Sequence, residues 1–186
     1  MHPSREELLD TVRRYYDADT SSHFTTATSP QAARRHERWA RWTADLRDWD
    51  ALRDELSREL PGYLTGELYP TTDGGPRCLV YPPEGAVEWV VVGCVSLLAP
   101  VYFIYGVQYT HEEGGPRTPH VRFEPAPAPM AHPARILARA IETRWGYSAL
   151  PRELAETPVP LVTGWREPPE TTLFHALFTN TPDNLP

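Results

Sequence analysis

The amino-acid sequence predicts an α+β fold, in which a single antiparallel sheet of four to five strands packs against N-terminal helices and one later helix. Residues 1–60 place apolar side chains at helical spacing, whereas residues 61–124 contain short runs of β-branched and aromatic residues. Turn-forming glycines and prolines separate these runs, and a helical pattern returns after the proline-rich stretch 125–129. This order is typical of one antiparallel sheet with helices packed on a face.

The length of 186 residues fits one domain with a continuous core. We therefore predict one α+β domain over 1–186, made of a helical part (1–60), the sheet (61–124) and a helix with a proline-rich C-terminal segment (125–186). The proline-rich stretch is too short to divide the chain into two domains.

The N-terminal part predicts two helices. Ser4 and Glu7 match a capping box, which predicts a helix near residues 5–17. Ser29 and Pro30 suit the N-cap and the first helical position, and predict a second helix that continues to Leu60. Its apolar stripe, which we expect to be core, comprises Trp39, Trp42, Leu46, Trp49, Leu52, Leu56 and Leu60. Its opposite face carries Arg41, Asp45, Arg47, Asp48, Asp54, Glu55 and Arg58.

The remaining elements follow from β-propensity and from turn and cap signals. The predicted strands are Tyr63–Tyr69, Arg77–Tyr81, Val87–Val95, Val101–Thr110 and Val121–Glu124. Turns are expected at 73–76 and 111–117, where glycines are available. A third helix is predicted to start at Pro133 and to stop at Gly146, and short helical segments are expected within 150–155 and 171–178.

The uncharged run Trp89–Val107 is either a membrane span or the centre of the core. Pro100 interrupts it, β-branched and aromatic residues dominate it, and acidic residues flank it. These features favour two buried strands joined by a turn near residues 97–100. The N-terminus lacks the apolar stretch of a signal peptide, so we expect a cytoplasmic protein.

All 18 basic residues are arginine, and the formal net charge is −7. Without lysine the chain cannot form the Schiff bases on which aldolases and pyridoxal-phosphate enzymes depend. The negative charge disfavours nucleic acid and anionic lipid as partners, and favours either a basic partner or simple solubility.

Few residue patterns indicate catalysis. Cys78 and Cys94 lie in predicted strands and could form a disulfide, although two buried thiols fit a cytoplasmic protein better. Ser96 lacks the flanking glycines of a nucleophile elbow. His175, within an apolar helical segment, is expected to be a partly buried structural residue.

The group His111, Glu112, Glu113 and His120 could hold a divalent metal through two imidazoles and a carboxylate across a predicted hairpin loop. Its spacing lacks the helical arrangement of zincin sites, and solvated loop residues are the simpler interpretation. We assign no catalytic residue, no metal site and no cofactor, which favours a binding protein over an enzyme.

Several short segments together resemble a known group of proteins. The Trp/Leu helix ends in Leu-Pro-Gly and is followed by Cys-x-Val-Tyr-Pro (Cys78–Pro82) and SLLAPVY (Ser96–Tyr102); the C-terminal part contains TPVP (Thr157–Pro160) and TLFHALFT (Thr172–Thr179). Over residues 38–180 the chain resembles small myxobacterial-type proteins, some of which are similar to immunity proteins of polymorphic toxin systems. The resemblance implies a cytoplasmic protein that binds and blocks a toxin, and it assigns no functional residue.

We therefore predict a non-enzymatic protein-binding module, most specifically an immunity-type inhibitor of a cognate, basic toxin. The residues expected to bind this partner are Asp45, Asp48 and Glu55 on the second helix and Glu112 and Glu113 on the loop. Two alternatives remain open: a hydrolase-type enzyme with a site near residues 111–120, and a structural or assembly subunit of a phage or secretion particle.

Overall fold

In the computed structural model a six-stranded sheet lies between two helical layers. The structure describes residues 3–17, 29–71, 74–83, 88–111, 115, 117–123, 127–163 and 166–186. The helices are α1 (Arg5–Tyr15), α2 (Pro30–Thr43), α3 (Arg47–Glu59), α4 (Ala128–Trp145), α5 (Arg152–Ala155) and α6 (Leu173–Leu177). The strands are β1 (Leu64–Leu68), β2 (Arg77–Tyr81), β3 (Trp89–Val95), β4 (Val101–His111), β5 (Arg117–Arg122) and β6 (Ser148–Ala149). The α+β class is as predicted.

Five strands form an antiparallel meander in the order β1-β2-β3-β4-β5. The short β6 pairs in parallel with the start of β4, so the sheet is mixed, whereas the sequence predicted an antiparallel one. The run Trp89–Val107 forms β3 and most of β4, as predicted. Its turn is fixed by the Ser96 hydroxyl, which accepts hydrogen bonds from the backbone N–H groups of Leu98 (3.2 Å) and Ala99 (3.3 Å). Among the described helices, none combines the length and apolar character that a membrane crossing requires.

Helices α3 and α4 cover the first face of the sheet. The core there comprises Trp49, Leu52, Leu56, Leu60, Cys78, Val80, Val91, Val95, Tyr102, Met130, Leu137, Ala140 and Ile141. A Cβ added at Gly93 would lie 2.6 Å from a Leu137 methyl carbon, so glycine in β3 lets α4 approach the sheet closely.

The second face is covered by α1, α6 and the extended chain around them. Its core includes Leu8, Val12, Leu79, Val92, Cys94, Phe103, Tyr105, Leu161, Phe174 and Phe178. The Tyr16 hydroxyl ties α1 to α6 by donating to the backbone carbonyl of Ala176 (2.9 Å). The prediction that helices pack on one face was therefore incomplete, since both faces are buried.

The predicted long second helix is wrong, because the chain breaks between Thr43 and Arg47 to give α2 and α3. The Thr43 hydroxyl bonds back to the carbonyl of Trp39 (3.0 Å), and Asp45 accepts the N–H of Arg47 (3.2 Å). The two helices also pack on different partners. Helix α3 packs on the sheet, whereas arginines of α2 donate to the last backbone carbonyls of α1.

Two other boundaries differ from those predicted. Strand β5 covers Arg117–Arg122, although the sequence placed a turn at 111–117 and a strand at 121–124. Helix α4 begins at Ala128, so that Pro133 lies inside the helix and is buried instead of opening it. Gly146 ends α4 in the left-handed conformation (φ 65°), as predicted.

Candidate binding site

Within the described residues, the outer edge of β4, which faces away from β3, has a gap in its strand pairing. On this side β5 pairs with β4 at Gly106–His111 and β6 pairs with it at Val101–Tyr102, and no described strand pairs with 103–105. The Tyr102 carbonyl accepts from the N–H of Leu150 on this outer side (2.8 Å). Because backbone groups alternate sides along a strand, Ile104 also directs its N–H and C=O outward.

An open groove of about 620 Å³, which we name the edge groove, lies at this gap. The β4 residues at its base include Tyr102, Ile104 and Gly106. Ala134 and Ala138 of α4 line one wall, and the other wall comes from the segment that joins β6 to α5. The small alanine side chains keep the groove open along α4, so an extended segment can reach the strand edge.

A second cavity of about 340 Å³, the arginine pocket, adjoins the edge groove and shares Phe123 and Arg152 with it. Its charged lining residues are Arg122, Arg152, Glu156, Arg166 and Asp183. Arg152 pairs with Glu156 (3.0 Å), and Arg166 donates from Nε to the backbone carbonyl of Asn180 (3.1 Å). Three arginine residues therefore line one pocket together with two acidic residues, in a chain whose net charge is negative.

His175 of α6 also lines the arginine pocket and is 8% exposed. Its Nδ1 accepts from the Thr172 backbone N–H (3.1 Å) and lies 3.0 Å from the Thr172 hydroxyl, forming the N-terminal cap of α6. Burial, together with the nearby Arg166 guanidinium, lowers the pKa of His175 to about 4. The ring is therefore neutral near pH 7, and with Nδ1 acting as acceptor the proton resides on Nε2.

The acidic residues predicted to bind a partner are not brought to this site. Asp45 pairs with Arg47 (2.9 Å), whose hydrogen bonds lower the pKa of Asp45 to about 2. Glu55 is half-buried and pairs with Arg144 of α4 (2.8 Å), so the expectation that it is an exposed contact residue is wrong. Asp48 is exposed on α3. Glu112 and Glu113 lie outside the described residues.

The two histidines of the possible metal site are separated by the sheet. His120 pairs with Gln108 across β4 and β5, and its Nε2 lies 2.9 Å from the Thr110 hydroxyl. His111 is one residue beyond Thr110, so its side chain belongs to the opposite face. The two imidazoles therefore cannot share one metal ion. Within the described part of the chain, no group of three or more histidine, cysteine, aspartate or glutamate residues could hold a metal.

The cysteines are also on opposite faces. Cys78 contributes to the first-face core and Cys94 to the second, and both thiols are free and buried. Burial raises the pKa of each thiol to about 12. A disulfide between them is excluded, and two buried thiols are found as predicted.

No pattern in the sequence indicates the arginine pocket. Arg122, Arg152, Arg166 and His175 come from four separate segments, and each is an isolated polar residue without a diagnostic spacing. His175 was expected to be a partly buried structural residue, and its part in the cap of α6 confirms this.

Comparison with known proteins gives no relative from which a function could be transferred. No family model, no curated protein and no solved structure matches the chain.

Proposed function

We propose that this protein is a non-enzymatic protein-binding module that receives an extended segment of a partner in the edge groove. The observation that carries this proposal is the outer edge of β4 at Ile104, where a backbone N–H and C=O lie beside the edge groove. The lining of this groove is mostly apolar and also includes Arg135, Arg152 and Glu153. An extended peptide can pair with both groups while its side chains fill the groove, as in recognition by β-strand addition.

The dimensions of the gap limit how the segment binds. Residues 103–105 extend over about 10 Å, so one partner residue pairs with Ile104 and its neighbours contact the groove walls. Most of the affinity must then come from apolar side chains rather than from a long hydrogen-bonded ladder. The groove volume of about 620 Å³ is within the range typical of ligand sites.

A finer proposal is that the partner is a cognate toxin, and that the protein acts in the cytoplasm as an immunity-type inhibitor. Its support is the resemblance over residues 38–180 and the net charge of −7, which favours rapid association with a basic toxin. Asp45 and Glu55 are already paired with arginines. Steering would therefore depend on the overall charge more than on these two side chains.

The test places a large side chain in the edge groove. Ala138→Arg fills the groove from α4, whereas Thr143→Arg adds the same side chain at an exposed position of α4 outside the groove. With the toxin encoded by an adjacent gene as the partner, we expect Ala138→Arg to weaken binding by at least about tenfold and Thr143→Arg to leave it unchanged. Circular dichroism checks that both variants fold.

Two results would contradict the proposals. Equal binding by Ala138→Arg and the wild type would show that the edge groove is not the interface. If the wild-type protein neither bound that toxin nor protected cells from it, the immunity-type proposal would fail.

The contribution of charge is tested separately by association kinetics. If the acidic surface steers the partner, charge reversal at Glu112 and Glu113 together slows association, and added salt slows the wild type similarly. A rate that is insensitive to both changes would mean that the acidic surface serves solubility only.

A further inference from the structure

The arginine pocket has the chemistry of an anion site. Three arginine residues line it. A guanidinium group carries planar pairs of N–H donors, which match the geometry of a carboxylate or phosphate. His175 also lines the pocket; its ring is more than nine-tenths buried, is held in place by Thr172 and carries its proton on Nε2. A buried donor in a fixed orientation, beside several cations, is the kind of arrangement that binds an oxyanion in a defined position.

The balance of charge indicates a monoanion. Among the described residues that line the pocket, three arginines stand against Glu156 and Asp183, and the neutral His175 adds no charge. A net charge of about one positive unit matches a carboxylate better than a phosphate dianion, which would leave uncompensated negative charge beside the two acidic residues.

The position of the pocket adds a second requirement on the ligand. Phe123 and Arg152 line both the arginine pocket and the edge groove. One bound group can therefore place an apolar part on the Phe123 side and an anionic part among the arginines.

We propose that the arginine pocket binds the carboxylate of a ligand whose adjoining apolar group occupies the edge groove. On the proposed function, this carboxylate belongs to an Asp or Glu side chain of the partner segment. Only the source of the carboxylate rests on that function, because the pocket itself is built within one chain.

The experiment uses the intact protein and small probes, so it does not depend on finding the partner. The probe is 3-phenylpropionate, and the matched uncharged control is 3-phenylpropanamide. We expect about millimolar binding of the carboxylate, as befits a fragment of this size, and at least about tenfold weaker binding of the amide. Inorganic phosphate at pH 7.5 should bind more weakly than the carboxylate.

The variant Arg122→Gln removes one exposed guanidinium at the end of β5, and Arg58→Gln removes an exposed arginine of α3 that is outside the pocket. Arg122→Gln should weaken 3-phenylpropionate binding by about three- to tenfold, whereas Arg58→Gln should have no effect.

Nitrogen-15 NMR of His175 gives an independent readout. Saturation with the carboxylate should shift the Nε2 signal and raise the pKa of the ring, because a bound anion stabilises the imidazolium.

Each other result would overturn the proposal. Equal binding of the amide and the carboxylate would mean an apolar site alone, and tighter binding of phosphate would contradict the monoanion assignment. Binding that is unaffected by Arg122→Gln, or that leaves the His175 resonances unchanged, would place the probe elsewhere. A wild-type protein that binds no probe at 10 mM, a concentration of about ten times the expected Kd, has no such site.

Discussion

The two faces of the sheet are covered in different ways, and the arginine pocket lies with the less regular covering. On the first face, α3 and α4 present continuous apolar surfaces, and Trp49 stacks on Trp145 with ring centroids 6.0 Å apart. Ion pairs such as Arg144–Glu55 (2.8 Å) connect the two helices at their rim. Regular helices satisfy their own backbone groups, so α3 and α4 cover this face mainly through side-chain packing.

The second face depends on side chains that hold extended backbone. The Tyr105 hydroxyl donates to the carbonyl of Pro182 (2.9 Å), and Arg77 donates to the carbonyls of Thr181 (3.1 Å) and Asn184 (3.3 Å). The segment pairs part of its backbone locally, since the Asn184 N–H donates to the Thr181 carbonyl (3.2 Å), and side chains of the sheet supply further donors. Such a covering leaves concave, polar-lined spaces between its segments, and the arginine pocket is one of them.

The largest expected effect tests the packing of the first face. Trp49 is 2% exposed and donates from Nε1 to Glu67 (2.8 Å), whereas Trp42 is only partly buried against it. Trp49→Ala should lower the free energy of unfolding by about 3–5 kcal/mol, through the lost burial and the cavity that remains. Trp42→Ala should cost about 1–2 kcal/mol, since less of its surface is buried. Chemical denaturation measures both values, and equal losses would contradict the assignment of Trp49 as the anchor.

The next largest effect is a dependence of stability on pH, which arises from His175 on the second face. His175 has a pKa of about 4 in the folded protein against an ordinary value of 6.5, so the unfolded chain binds the proton more readily. The neutral ring therefore stabilises the folded protein fully above pH 6.5. As the pH falls from 6.5 toward 4, the free energy of unfolding decreases by up to about 3 kcal/mol. The control is His175→Gln, because glutamine also suits the capping box with Thr172 and does not titrate. Unfolding midpoints that fall equally in both proteins over this window would contradict the prediction.

Elements with local signals were predictable from the sequence. The Ser4–Glu7 capping box, the Gly146 stop and the interrupted run Trp89–Val107 each specify their own structure within a few residues. The burial of both sheet faces also had a signal, since β3 is a nearly continuous apolar run without the alternation of a half-exposed strand.

The break between α2 and α3 could not be predicted in the same way. Apolar residues keep helical spacing through Trp42, Leu46 and Trp49, so periodicity favours one helix. At the break, Thr43 and Asp45 bond to nearby backbone groups. On either side of it α2 packs on α1 and α3 packs on the sheet, a tertiary arrangement that periodicity does not encode. The candidate site is unpredictable for a similar reason: its gap depends on where β5 and β6 stop pairing with β4.

A smaller effect is expected from loosening the extended covering. Arg77→Gln removes the donor to Thr181 and Asn184, and should cost about 1 kcal/mol because these contacts are partly exposed to water. Amide hydrogen exchange over residues 181–185 should accelerate, while exchange in α4 should not change. Arg58→Gln is the matched control on the first face. Unchanged exchange over 181–185 would show that Arg77 does not hold this segment.

The smallest effect compares the two faces through their buried cysteines. Neither thiol should react with a disulfide reagent in the folded protein at neutral pH, because each has a pKa of about 12 and is buried. A thiol can then be labelled only when the structure that covers it opens transiently. Cys94 lies under the irregular covering of the second face, whereas Cys78 lies under α3 and α4. In the single-cysteine proteins made by Cys78→Ala and Cys94→Ala, we expect Cys94 to be labelled about tenfold faster than Cys78. Arg77→Gln should accelerate Cys94 alone. Equal labelling rates would mean that both faces open only in global unfolding, in which case the extended covering is as stable as the helical one.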